Sequence, residues 1–280
     1  MMDQAKLTEI QKIELEILKA VVNLCDHYSL RYFIYCGTLL GAVRHRGFIP
    51  WDDDIDLAMP LEDYRKFLEH ADELPAGLSC VHRGNTPDYQ WLWAKVASDG
   101  TTFMYIDFAE LDRHWGISLD IYPLIGTPAT KWGRKLQKLL ISIMRRLQFV
   151  SVYQVKRIAG NDKLYKKFLG GCPYFMRQGL INVLSYLCIL DTDSSEYVGS
   201  LDWAPFEGKF MWKDWQEMIR LPFEDATFWA PARYDKLLRR MYGDYMQLPP
   251  EEARMGHAEN NVIIDPHRDY RLYRKELLGK

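Results

Sequence analysis

The pattern of hydrophobic positions predicts a long N-terminal helix followed by alternating strands and helices. Apolar residues recur at near-helical spacing from Leu7 to Leu24, which predicts an amphipathic helix over about residues 5–28. Short runs rich in aromatic and β-branched residues predict strands near residues 32–36, 55–59, 78–82, 91–97, 102–106 and 117–122. Residues 39–46 and 62–74 are predicted to be helical. Thr38 is the expected N-cap of the first of these helices, and Gly47 its C-terminal stop.

The chain beyond Pro128 follows a mostly helical pattern, with helices predicted at about 131–150, 161–190 and 231–243. We therefore predict an α/β (α+β) fold, in which a mixed sheet core flanked by helices precedes a mainly helical C-terminal half. No internal repeat or low-complexity linker divides the sequence, so residues 1–280 are predicted to form a single domain. Its approximate parts are a core over residues 1–127 and a mainly helical region over residues 128–280.

Composition excludes several classes of protein. The 280 residues are 48% hydrophobic and 14% aromatic, which suits a globular chain with a substantial core, and the net charge of −2 does not indicate a nucleic-acid partner. Five cysteines without CxxC spacing predict reduced residues rather than disulfides or a zinc cluster. The first 16 residues are too charged for a signal peptide, and the apolar run at 178–190 is too short to cross a bilayer. The expected location is the cytoplasm.

Candidate chemistry begins with the acidic run WDDDIDL at residues 51–57. On a strand, residues i and i+2 point to the same face, so Asp54 and Asp56 are expected to lie side by side with Cα atoms roughly 7 Å apart. Two adjacent carboxylates require a cation, and hard oxygen ligands suit Mg²⁺ or Mn²⁺. Asp120, in an otherwise apolar strand pattern, would be a costly acid to bury without a partner and is the expected third ligand.

The turn at Gly37 and Thr38 supplies a second half to this site. It joins a predicted strand to a predicted helix, where free backbone N–H groups and the helix N-terminus can bind an anion. Together with the paired acids, it predicts a phosphate held against a metal ion.

Other interpretations of the same residues remain open. The spacing of Asp52, Asp54 and Asp56 imitates an EF-hand, although Leu57 stands where that loop needs glycine. These aspartates could also simply cap and solvate a turn. Arg44 could contact substrate or merely oppose the helix dipole, and Lys95 could reach a donor phosphate or form a salt bridge with a core acid.

The sequence resembles the LicD family, the phosphorylcholine transferases of bacterial surface glycans, and the related catalytic region of fukutin and fukutin-related protein. The resemblance is carried first by GTLLGAVRHRGFIPWDDDIDLAMPLEDYRKF, from Gly37 onward. Later matching pieces are Lys95 with the following Thr-Thr pair, LDIYP at Leu119–Pro123, and YGDYMQLPPEEAR with His257. The match covers about residues 34–257.

The resemblance implies a nucleotidyltransferase-like fold and a metal-dependent enzyme. Members of the family transfer a phospho-alcohol group, such as phosphocholine or ribitol phosphate, from a CDP-linked donor to a glycan hydroxyl and release CMP. By position, Gly37 and Thr38 match the glycine turn, and Asp54, Asp56 and Asp120 match the metal-binding acids. Lys95 is the expected donor-phosphate contact, with Arg44, Arg254 and His257 as further candidates.

Two other functions stay open at this stage. The same metal geometry would serve a nucleotidyltransferase that uses an NTP and releases pyrophosphate, and a non-catalytic glycan-binding protein could retain the fold. CDP-choline is the expected donor. A choline group is typically bound by aromatic rings, for which the chain offers 9 Trp and 17 Tyr. The expected acceptor is a glycan, free or lipid-linked.

Residues 131–150 offer a further clue. They belong to a stretch, residues 121–161, that has no acidic residue and eight Lys or Arg. Its basic amphipathic pattern suits the anionic inner face of a membrane, where a lipid-linked acceptor would be met. The alternative is a helix that packs on the core with its basic edge in water.

Overall fold

A mixed β-sheet connects the two halves of the chain in the computed structural model, which describes residues 3–87, 89–150, 172–201, 210–254, 256 and 261–279. The helices are α1 (Gln4–His27), α2 (Cys36–His45), α3 (Leu61–Glu69), α4 (Lys131–Gln148), α5 (Tyr174–Cys188), α6 (Lys213–Gln216), α7 (Tyr234–Tyr242) and α8 (Tyr270–Leu278). The strands are β1 (Phe33–Ile34), β2 (Asp56–Pro60), β3 (Leu78–Val81), β4 (Ala94–Ser98), β5 (Thr102–Tyr105), β6 (Ser118–Thr127), β7 (Tyr197–Ser200), β8 (Phe210–Met211), β9 (Met218–Phe223), β10 (Ala226–Pro231) and β11 (Val262–Asp265).

The main sheet has the order β1-β2-β6-β4-β3, and β7 and β8 extend it from the second half of β6. The pair β2–β6 is parallel, whereas the other pairs of this sheet are antiparallel. Strand β6 pairs with β4 through its first residues and with β7 through its last ones. Its length therefore lets one strand join the acid-bearing part of the sheet to the C-terminal half.

Helix α1 covers one face of this sheet because its apolar residues repeat at the helical period. Leu7, Ile10, Ile17 and Val21 are all buried, and the helix packs into the largest hydrophobic cluster together with residues of β2, β4 and β6. Asp3 caps its first turn by accepting a hydrogen bond from the N–H of Ala5. The predicted first helix is thus confirmed.

The mixed α/β class is confirmed, and each predicted strand of the first half has a counterpart, five of them in the main sheet and β5 in a separate pair with β11. The second half contains helices α4, α5 and α7 near the predicted positions, although residues 161–171 of one predicted helix lie outside the described residues. It also contains strands β7 to β11, which the pattern did not predict. These strands are short, and β9 alternates only weakly between buried and exposed positions, so their periodic signal is faint.

The expected N-cap of α2 was wrong. The helix begins one turn earlier than predicted, at Cys36, with Tyr35 at the N-cap position and no side-chain capping bond. Arg46, rather than Gly47, adopts the left-handed conformation that ends the helix, with φ 60°. The hydroxyl of Thr38 does not cap the helix. It accepts a hydrogen bond from the backbone N–H of Asp56, the first residue of β2.

Candidate active site

A cavity of about 590 Å³ opens at the end of β2, β4 and β6 where the predicted acids lie. Part of its lining is acidic and part is aromatic. The acidic residues are Glu14, Asp52, Asp53, Asp54, Asp56 and Asp120. The aromatic residues are Tyr89, Trp91, Trp93, Phe103, Tyr105, Trp115, Tyr122 and Tyr242. Gly37 and Lys95 also border the cavity, so the glycine turn, the acids and the lysine meet in one place.

The sheet register places three charged residues in a row. Asp56 on β2 is the neighbour of Asp120 on the parallel strand β6, and Asp120 is the neighbour of Lys95 on the antiparallel strand β4. Side chains at paired positions of adjacent strands point to the same face of the sheet, roughly 5 Å apart. The sheet itself therefore brings together residues that are far apart in the sequence.

Asp120 is held by donors from both sides. One carboxylate oxygen accepts a bond from the ammonium of Lys95, with which it forms an ion pair. The other accepts a bond from the indole N–H of Trp93 at 2.8 Å and a longer one from the hydroxyl of Tyr122 at 3.3 Å. The salt bridge, one of the two interpretations of Lys95, is present, and the contact with a donor phosphate stays a prediction.

Asp56 lies among like charges. It is 8% exposed, and burial, together with the charges of Asp54, Asp120 and Asp52, raises its pKa well above the usual range. The ammonium of Lys95 acts in the opposite direction. A cation placed beside Asp56 would restore its ionised form, so the electrostatics of the site favour the binding of positive charge.

The glycine turn is joined directly to the acid-bearing strand. The side chain of Thr38, 3% exposed, accepts a hydrogen bond of 2.8 Å from the backbone N–H of Asp56. Cys36 occupies the left-handed region with φ 43°, which turns the chain sharply from β1 into α2. A Cβ on Gly37 would meet the carboxylate of Asp52 at 2.7 Å, so a glycine allows this acid to approach the turn.

The remaining aspartates border the cavity from the loop before β2. Asp54 precedes the strand, and the carbonyl of the next residue, Ile55, accepts a bond from the N–H of Asp120. Asp53 is 2% exposed and lies against Gly256, where a Cβ would come within 2.7 Å of its carboxylate. Gly256, two residues after Arg254, therefore lies against the acidic loop.

The residues present suit a divalent metal ion by chemistry. Asp54 and Asp56 offer hard oxygen ligands beside a region of excess negative charge. Within the described ranges, however, no three His, Cys, Asp or Glu side chains are arranged to hold a metal as they stand. Lys95 and Trp93 already bond the carboxylate oxygens of Asp120. The predicted metal trio stays a prediction.

The structure separates the other predicted site residues. The guanidinium of Arg44 donates to the backbone carbonyl of Tyr245 at 2.9 Å, and that of Arg254 donates to the carbonyl of Pro249 at 2.9 Å. Neither side chain belongs to the cavity lining formed by the described residues. His257 lies outside the described residues. Their donor-binding roles stay predictions.

Glu14 is a site residue that sequence reasoning missed. It is 1% exposed, its Oε2 has no hydrogen-bond partner within the described part of the chain, and it lines the cavity. Burial and the charges of Asp54 and Asp53 raise its pKa well above the usual range. A signal was present, because Glu14 follows Ile10 by one helical turn and so falls on the buried face of α1.

The sequence pattern also did not predict that the aromatic residues would line the cavity together. Trp93 stacks against Trp91 at 5.2 Å and against Tyr122 at 5.0 Å between ring centroids. The guanidinium of Arg113 lies 3.6 Å from the ring centroid of Trp115. The cavity therefore already holds one cation against an aromatic face.

The chain is similar to known proteins over this site. A model of the LicD/FKTN/FKRP nucleotidyltransferase domain matches residues 29–139, which include β1 to β6. The lipopolysaccharide cholinephosphotransferase LicD of Haemophilus influenzae is 28% identical over 278 residues, covering 94% of this chain and 100% of that protein. The ribitol 5-phosphate transferase FKRP of Homo sapiens is 46% identical over 108 residues, covering 39% of this chain and 19% of FKRP.

These similarities agree with the geometry. The matched range contains the glycine turn, the paired aspartates, Lys95 and Asp120, which meet in the cavity although they come from separate elements. The bacterial relative extends the similarity across nearly all of the chain. The chain is therefore similar to transferases of the LicD type, over residues 29–139 for the domain and over nearly its whole length for the bacterial enzyme.

Proposed function

We propose that this protein transfers a phospho-alcohol group, most simply phosphocholine, from a CDP-linked donor to a glycan hydroxyl and releases CMP. The observation that carries the proposal is the row of Asp56, Asp120 and Lys95 at the edge of the cavity, beside the turn at Gly37. The two relatives, a cholinephosphotransferase and a ribitol 5-phosphate transferase, support the same class of reaction.

Asp54 and Asp56 would hold a Mg²⁺ or Mn²⁺ ion, with Asp120 as the proposed third ligand. When bound, the metal supplies charge neutralisation at the donor's diphosphate. The backbone N–H groups near Gly37 would face the donor phosphates, and the bond between Thr38 and Asp56 holds that turn against the acids.

The reaction itself exchanges one P–O bond for another. The acceptor oxygen attacks the phosphorus that carries the alcohol, the bond from that phosphorus to the CMP oxygen breaks, and the acceptor's proton passes to a carboxylate. Asp120 is the proposed proton acceptor, since Lys95 and Trp93 hold its side chain at the cavity edge. The Lys95 ammonium would also stabilise negative charge on the donor phosphates.

The aromatic lining supports choline as the alcohol. A quaternary ammonium group is attracted to the faces of Trp and Tyr rings, and Arg113 on Trp115 is an example of such a contact within this cavity. Ribitol, which carries hydroxyl groups and no charge, would gain little from those rings. We therefore propose CDP-choline as the donor.

A donor panel tests the proposal. The protein is incubated with Mg²⁺, a glycan acceptor and CDP-choline, CDP-ribitol or CTP, and the released nucleotide is identified. CMP released from CDP-choline in an acceptor-dependent manner is the expected result. Pyrophosphate from CTP would instead identify a nucleotidyltransferase, and no turnover with any donor would favour a glycan-binding protein. Asp72→Asn, at an exposed acid outside the cavity lining, is the matched control for the site variants.

The proposed place of action is the cytoplasmic side of a membrane. A CDP-linked donor is a charged, water-soluble molecule, whereas a glycan precursor can be attached to a lipid. The enzyme would then work where the two meet.

A further inference from the structure

Helix α4 carries two apolar stripes on opposite sides. Ile141 and Met144 belong to the inward stripe, which is buried in a hydrophobic cluster. Trp132, Leu136 and Leu139 follow each other at i, i+4 and i+7, so they share one face, and they are 81%, 57% and 53% exposed. At about 100° per residue, Ile141 and Met144 lie about 180° and 120° around the helix axis from Trp132, so the two stripes face different sides of the helix. Packing against the core therefore explains why the inward stripe is apolar, but not why the outward stripe is.

Helix α5 exposes a second stripe of the same kind. Met176, Leu180, Val183 and Leu187 recur at i, i+4, i+7 and i+11 and are all about half exposed. Tyr186, beside this stripe, is 89% exposed. Soluble proteins seldom expose so many large apolar residues together unless the surface binds something.

The two helices form one packed unit. Met144 and Leu147 of α4 share a buried cluster with Ile181 and Cys188 of α5, and the Sγ of Cys188 lies 3.5 Å from the Sδ of Met144. The outward stripe of α4 and the stripe of α5 are therefore carried by one pair of packed helices. We call the following seven residues the apolar surface of α4 and α5: Trp132, Leu136, Leu139, Met176, Leu180, Val183 and Leu187.

Positive charge accompanies this surface. Helix α4 contains no acidic residue, and Lys131, Lys135 and Arg146 are exposed on it. The ammonium of Lys135 lies 5.0 Å from the ring centroid of Trp132. Exposed Trp and Tyr next to Lys and Arg are the combination found where proteins enter the headgroup region of a bilayer.

Charge also argues against a second copy of the chain as the occupant. In a two-fold symmetric contact the same patch meets itself, so the basic side chains of α4 would be brought near each other without acidic partners on that helix. Anionic phospholipid offers the complementary charge. No helix of the described ranges is long and apolar enough to cross a bilayer, so the contact would be with the membrane surface.

We propose that the apolar surface of α4 and α5 docks the protein on a bilayer that contains anionic phospholipid. The purpose of this docking rests on the proposed function, in which membrane binding would bring the enzyme to a lipid-linked acceptor. The binding itself requires neither donor nor metal. Its failure can therefore be distinguished from failure of the catalytic proposal.

Vesicle co-sedimentation of the full chain tests this inference. We use vesicles of phosphatidylcholine alone and vesicles containing phosphatidylglycerol, and compare the parent with Trp132→Gln/Leu136→Gln/Leu139→Gln. The parent should sediment with the anionic vesicles, and the triple variant should lose at least about ten-fold in apparent affinity. Lys135→Gln/Arg146→Gln should also lose affinity, and the remaining binding should depend less on salt than that of the parent.

Three controls make the result specific. Leu272→Gln replaces a leucine that is 49% exposed on α8, comparable to Leu136 and Leu139, and this variant should bind like the parent. Asp56→Asn should also bind vesicles normally, because it lies in the cavity and not on this surface. Thermal unfolding of the variants on α4 and α8 should match the parent, since their replaced side chains are exposed.

Several outcomes would overturn the inference. These are a parent that does not bind the anionic vesicles, a triple variant that binds as well as the parent, or a parent dimer that the triple variant converts to monomer without any bilayer binding. A parent that binds vesicles but turns over no donor would support the docking surface and count against the proposed function.

Discussion

The hydroxyl of Thr38 accepts a hydrogen bond of 2.8 Å from the backbone N–H of Asp56, and both residues are buried. This bond joins the glycine turn, which would face the donor phosphates, to the first residue of the acid-bearing strand. A side chain expected to cap its own helix instead holds two halves of the site together.

Replacing Thr38 tests the importance of this bond. Thr38→Val leaves the N–H of Asp56 buried and without its acceptor, so the free energy of unfolding should fall by ~1–3 kcal/mol. Turnover should fall more than stability alone explains, because the turn and the acids lose their alignment. Thr38→Ser keeps the hydroxyl and should restore most of both. Denaturant unfolding and CMP release measure the two effects, and equal activity in Val and Ser variants would contradict the expectation.

Asp56→Asn should abolish turnover while preserving the fold. Burial and the neighbouring acids Asp54 and Asp120 raise the pKa of Asp56. The substitution removes one acid from this group of like charges. The melting temperature should therefore be unchanged or slightly higher, while kcat falls by at least about 100-fold for loss of a metal ligand. Asp72→Asn is the control. Activity within about ten-fold of the parent would remove Asp56 from the metal site.

Lys95→Met should move the acid limb of the pH–rate profile to higher pH. The ammonium of Lys95 lowers the pKa of Asp56, so its removal raises that pKa and a higher pH is needed to ionise the carboxyl. The profile of kcat/KM measured with saturating Mg²⁺ reports this shift. If Lys95 also contacts the donor, KM for CDP-choline should rise as well. An unmoved acid limb would show that Asp56 ionises independently of Lys95.

Arg31 supports the fold away from the cavity by pairing with Asp63 of α3 and Asp193. Its hydrogen bonds lower the pKa of Asp193 below the usual value. A carboxyl with a lowered folded-state pKa stabilises the protein above its unfolded pKa, near 3.9, and that contribution disappears as pH falls through the folded value. Asp193→Asn should therefore lower stability at pH 7 but change it little near pH 2. Urea unfolding at both pH values checks this, and equal losses at both would contradict it.

Choline selectivity should depend on the aromatic lining. Trp91 stacks on Trp93 and lies 5.5 Å from the guanidinium of Arg113. Trp91→Leu should raise KM for CDP-choline by about ten-fold, because a ring face for the ammonium group is lost, and should affect CDP-ribitol less. Trp229→Leu, at a Trp outside the cavity, is the control. Equal changes for both donors would assign Trp91 a packing role.

Local patterns predicted much of the first half correctly because they reflect short-range physics. The period of α1 follows from burial of one face, and the strands containing Asp56 and Asp120 follow from their apolar runs. Residue order also indicated the turn at Gly37. In the second half, strands β7 to β11 escaped prediction because short, partly exposed strands leave little periodic signal.

The sequence by itself determined which residues could do the chemistry: a glycine turn, paired acids at Asp54 and Asp56, and an unexplained acid at Asp120. Only the tertiary structure decided which residues lie next to them. Strand register is a long-range property, and it placed Asp120 between Asp56 and Lys95. The same long-range packing buried Glu14 in the cavity and left an apolar stripe of α4 exposed, because only one side of α4 packs against the core.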